Sequence, residues 1–79
     1  MIKSRKHVLE ELVETTTNAI TEQEVKLGFY WQLVREGNEA NDEKASGKAQ
    51  LEVATIEETI KRYKQWLAYL TNELETTTS

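Results

Sequence analysis

Apolar residues recur along this chain at alternating steps of four and three. One stripe runs Leu9, Val13, Thr16, Ile20, Gln23, Leu27, Tyr30, Val34, with two polar members. A second runs Ala49, Val53, Ile56, Ile60, Tyr63, Leu67, Leu70, Leu74. That spacing is the heptad of a coiled-coil seam. The two runs are equally long, and their midpoint falls inside the polar stretch G-N-E-A-N-D-E-K-A-S-G. Folded antiparallel, Val34 meets Ala49, Tyr30 meets Val53, Leu27 meets Ile56 and Leu9 meets Leu74, every pair summing to 83. The pattern predicts an all-α, coiled-coil-like antiparallel two-helix hairpin as a single domain over residues 1–79. Helix 1 is expected over about 3–36, the loop over 37–41, helix 2 over about 42–74 and a frayed tail over 75–79. Each helix would be ~50 Å long at ~1.5 Å per residue.

Punctuation inside the pattern sets the expected ends. Gly37 reads as the residue after a helix end, in the left-handed conformation. Asn41 or Asp42 reads as an N-cap, with Ser46 as a later alternative. No apolar residue follows Leu74, so E-T-T-T-S is expected to fray. Three features favour a break in helix 1. T-T-T-N over residues 15–18 is a run of poor helix formers. Thr21 with Glu24 matches a capping box. Gly28 costs ~1 kcal/mol relative to alanine in a helix interior. A three-helix arrangement broken near residue 18 is therefore the structural alternative. The heptad phase crosses both weak points unbroken, which favours one long helix. Thr55 with Glu58 carries the same capping pattern in mid-helix, so that signal discriminates poorly.

The stretch K-L-G-F-Y-W-Q-L-V asks what lies off the seam. Phe29, Tyr30 and Trp31 leave a helix ~100° apart and cannot share one stripe. With the seam at heptad positions a and d, Tyr30 belongs to it and its neighbours do not. The e positions are polar except for Trp31: Glu10, Thr17, Glu24, then Gln50, Glu57, Lys64, Thr71. The g positions, with c beside them, carry Val8, Leu12, Ala19, Phe29, Leu33, Trp66 and Tyr69. A hairpin has no further element to cover that second stripe, and contiguous exposed apolar surface marks an interaction site. The simplest cover is a second copy, giving a homodimeric four-helix bundle. A partner helix of another protein is the other candidate. The plainer reading is that these side chains widen the core, as a third apolar position often does. Trp31 has no assignment.

Composition bears on the same point. Below ~80 residues a single core is thin, and disulfides, metals or oligomerisation usually supplement it. The chain has 79 residues, no cysteine and one histidine. Disulfides and thiolate metal sites are absent, a structural zinc site is disfavoured, and association remains. Net charge is −4 with 30% charged residues, which suits a soluble surface and argues against nucleic acid as the main partner. The basic segment Lys3, Arg5, Lys6 keeps an alternative in play, a small nucleic-acid-binding or nucleic-acid-mimicking regulator. Its bland explanation is pairing with Glu73 and Glu75 at the other terminus. No apolar h-region follows that segment, and no apolar run is long enough for a membrane, so the expected location is cytoplasmic.

Chemistry is sparse. His7 with Glu10 and Glu11 is the one cluster with ligand spacing, but di-iron bundles order the pair Glu-x-x-His and repeat it on inward faces. One histidine and no cysteine leave no nucleophile–base pair. Three dispersed glycines make no phosphate loop. No enzyme, cofactor or metal is expected. Trp31 and Gly37 are too far apart for the Trp-x-Gly turn of small secreted W-x-G hairpins. The proline-bearing turn of needle-forming hairpin subunits is absent.

Overall fold

The computed structural model describes residues 2–78. Among these are two α-helices and no strand: α1, Arg5–Glu39, and α2, Glu43–Thr78. They lie side by side as a hairpin with Cα extents of 56 × 21 × 14 Å. No described helix is long and apolar enough to cross a membrane.

The seam forms as the heptad requires. None of its sixteen positions is exposed. Ile20, Ile56 and Ile60 form one buried cluster, flanked by Leu27, Tyr30, Tyr63 and Leu67. Val34, Ala49 and Val53 form a second. The register continues one layer beyond them, to buried Gly37 and Ser46. The Ser46 hydroxyl donates to Asn38 Oδ1 at 2.7 Å and accepts from Gln50 Nε2 at 3.2 Å, so its burial leaves no polar atom unpaired.

α1 is unbroken across residue 18, which removes the three-helix alternative. Two threonines of this region bond back to the preceding turn. Thr17 donates to the Val13 carbonyl at 2.8 Å and Thr21 to the Thr17 carbonyl at 3.2 Å. Thr21 thus caps nothing. Thr55 behaves likewise, donating to the Leu51 carbonyl.

The ends differ from the sequence expectation. Ser4 caps α1, its Oγ accepting from the His7 N–H at 3.1 Å, so the helix starts at Arg5 rather than near residue 3. Gly37 does not end the helix. It is helical, no glycine has a positive φ, and the left-handed residue is Asn41 at φ 56°. The Asp42 N–H donates to the Gly37 carbonyl (2.8 Å) and the Asn41 N–H to the Asn38 carbonyl (3.1 Å). That pair of bonds is a Schellman closure with asparagine at the position glycine usually takes. Asp42 then caps α2, its Oδ1 accepting from the Ala45 N–H at 3.1 Å. The connection is therefore residues 40–42, not 37–41. The expected frayed tail is helical through Thr78, with the Thr77 hydroxyl donating to the Glu73 carbonyl at 2.8 Å; Ser79 lies outside the described residues.

Candidate functional site: an apolar face on the hairpin

The two flanks of the seam differ. Every e position is exposed, whereas at g Ala19, Leu33, Thr59 and Glu73 are half-buried. The hairpin itself thus shelters part of the second stripe, as a third apolar position does. It does not shelter the rest. Val8, Leu12, Trp66, Tyr69 and Phe29 keep from 36% (Leu12) to 56% (Phe29) of their surface in solvent. Ala19 and Leu33 therefore act partly as core, and the other five residues form the open face.

That face has internal order. Trp66 and Tyr69 stack, with ring centroids 5.6 Å apart and planes 17° from parallel. Three residues of separation puts them on one side of α2. Phe29 stands edge-on to the seam residue Tyr30, with centroids 5.3 Å apart and planes at 72°. Aromatic side chains held by such contacts meet a partner with little rotamer freedom left to lose. Val25 and Leu51 are also exposed, but both fall at f, away from this face. Trp31 is 46% exposed on the polar flank and joins no ring pair.

The polar flank carries a feature that heptad positions alone do not reveal. A groove of about 600 Å³ is floored by Leu27 and Ile60 and edged by Glu24, Glu57, Lys61 and Lys64. Its mouth carries two acids and two lysines, so it presents no dominant charge.

At the open end of the hairpin, Arg5 Nη2 lies 3.2 Å from Glu73 Oε2, joining the two helices. Lys3, just before α1, turns instead to that helix, with Nζ 2.8 Å from Glu11 Oε1. His7 Nε2 is 3.1 Å from the same oxygen. The Lys3 hydrogen bond, helped by the Lys3 and His7 charges, holds the Glu11 carboxyl below its ordinary pKa. The sequence grouped His7 with Glu10 and Glu11; the structure joins it to Glu11. Among the described residues no three His, Cys, Asp or Glu side chains are placed to hold a metal ion. No family model, curated protein or solved structure matches this chain.

Proposed function

We propose that this chain is a non-catalytic protein-interaction module, a small adaptor, assembly factor or regulator, that binds through Val8, Leu12, Phe29, Leu33, Trp66 and Tyr69. The observation that carries the reading is the solvent-facing aromatic pair of Trp66 and Tyr69, on the same flank of the hairpin as exposed Val8, Leu12 and Phe29. Tryptophan and tyrosine dominate the energetics of protein interfaces. Nucleic-acid binding through the basic segment has less support, because Lys3 and Arg5 are each held by a carboxylate.

The test is affinity capture from a native extract, counting copies of the chain itself as well as other proteins. Wild type is compared with Leu33→Glu, Trp66→Ala and, on the polar flank, Trp31→Ala. Circular dichroism confirms that each variant stays helical. The two face variants should lose bound chains and Trp31→Ala should keep them. An identical set recovered by all four proteins would overturn the reading.

A further inference from the structure

We infer that the occupant of this face is a second copy of the chain, seated with its loop at the same end, so that α1 of each copy lies across α2 of the other. The inference rests on the interaction reading above and names its partner.

The broad side of the whole hairpin spans 56 × 21 Å between Cα extremes, on the order of 1,000 Å² in projection, so the ~800 Å² per partner of a standard stable interface fits within it.

Charge selects the arrangement. Residues whose numbers sum to about 83 lie at the same height along the hairpin, as Gly37 and Ser46 show directly. The c positions of α1 and α2 sit on opposite outer edges of the face, across the width of two helices, and do not meet within one chain. A two-fold axis parallel to the helices keeps every height and brings those edges together. Glu22 then faces Arg62 of the second copy, and Glu36 faces Lys48. By symmetry each pairing occurs twice. Within its own chain Glu22 has Lys26 at 3.8 Å and Arg62 has Glu58 at 3.5 Å, all on exposed side chains free to add a second partner. Between those pairs Phe29 covers Thr55, and beyond the Glu22–Arg62 pair Tyr69 covers Thr15.

The inner column is consistent with the same axis. Bulky Trp66 falls opposite small Ala19, as interdigitated packing wants. Lys26 and Glu52 on facing helices are opposite in sign and ~8 Å apart along the axis at ~1.5 Å per residue. The competing two-fold axis, perpendicular to the helices, puts the loops at opposite ends. Aligning Leu12 with Phe29 in that arrangement sets Arg62 against Arg62 and Glu52 against Glu73. Like charges at those positions count against it.

Two measurements test the inference on the full chain. Sedimentation equilibrium over a range of concentrations gives the mass, for wild type, Glu36→Lys, Lys48→Glu and the double variant. Each single reversal should weaken the dimer about three- to tenfold, and the double variant should recover most of the loss. Because the chain has no cysteine, Glu39→Cys carries a single spin label beside the loop. Dipolar spectroscopy should then read under ~30 Å between copies, whereas loops at opposite ends would read ~50 Å for helices of this length. Dimers with close loops and charge-swap rescue support the inference. Dimers with distant loops, or reversals that do not compensate, overturn the arrangement. A monomer at every concentration overturns the second copy as occupant. Face-dependent capture of a different protein would then leave the interaction reading standing, and a dimer indifferent to Leu33→Glu and Trp66→Ala would defeat both.

Discussion

A β-carbon on Gly37 would lie 2.9 Å from the backbone nitrogen of Ser46 and 3.1 Å from its Cα. Helix backbones meet there without a side chain between them. Alanine gains ~1 kcal/mol of helix propensity over glycine, but forcing a methyl against backbone costs about 1–3 kcal/mol. Gly37→Ala should therefore lower the urea midpoint. A β-carbon on Gly28 would have nothing within 4 Å, so Gly28→Ala should raise the midpoint, with a stability gain of about 0.5–1 kcal/mol. A Gly37→Ala protein as stable as Gly28→Ala would show that the helices do not approach this closely.

Leu70 is the most buried large side chain, at 1% exposure, and Leu51 is 70% exposed on the outer face. Leu70→Ala should cost about 2–5 kcal/mol, since it removes a seam side chain and leaves a cavity. Leu51→Ala should stay within about 0.5 kcal/mol of wild type. Thermal melts of the two variants check the ordering; equal losses would move the seam.

The loop offers a cleaner separation. Asp42 uses its backbone N–H to close α1 and its side chain to open α2. Asp42→Ala keeps the first bond and loses the second, at an expected cost of about 0.5–2 kcal/mol. Asn41 holds φ 56°, so Asn41→Gly should be tolerated and Asn41→Val should cost about 1–2 kcal/mol. Equilibrium unfolding of all three checks this. A harmless Asn41→Val would rule out the left-handed turn.

Glu11 gives a pH dependence with a definite sign. Its folded-state pKa lies below the ordinary 4.5, first through the Lys3 hydrogen bond. The favourable contribution is therefore present above about 4.5 and is lost as pH falls through the lowered folded-state value. Glu11→Gln should flatten the acid limb of the stability curve and leave Lys3 without its partner. Because the group is fully exposed, the change should be small and should shrink with added salt. Unfolding midpoints from about pH 3 to 7 at two salt concentrations measure it; an acid limb unchanged by the substitution would show that Glu11 is not coupled to folding.

The turn shows how local signals and global pattern divided. Glycine at residue 37 looked like a helix stop, because glycine is the residue that most readily turns left-handed. The register already held a better signal. Half of 83 falls between Asn41 and Asp42, where the chain turns. Gly37 and Ser46 belong to the seam's next layer, where glycine serves close approach rather than chain reversal. The tail misled in the same way. A run without apolar residues removes the packing reason for a helix, yet the helix continues to Thr78, and the Thr76 and Thr77 hydroxyls turn back onto the Glu73 carbonyl.

The open face was legible as a stripe but not as a surface. Heptad position told Leu33 and Leu12 apart from the seam and not from each other. Leu33 is half-buried because it packs against the cluster of Val34, Ala49 and Val53, whereas Leu12 is exposed. The groove floored by Leu27 and Ile60 had no sequence signal, because it forms between seam residues of successive layers and the polar side chains at their edge.

What the sequence alone determined is the seam and the pairing. Heptad phase survives a slip of seven residues, but the two runs are equally long, so only one antiparallel register buries all sixteen positions together. What the tertiary structure decided is where the helices end, which glycine is a contact, which threonines are harmless, and how much of the second stripe stays open. Those depend on distances between two chain segments, and no residue carries such a distance in its own identity.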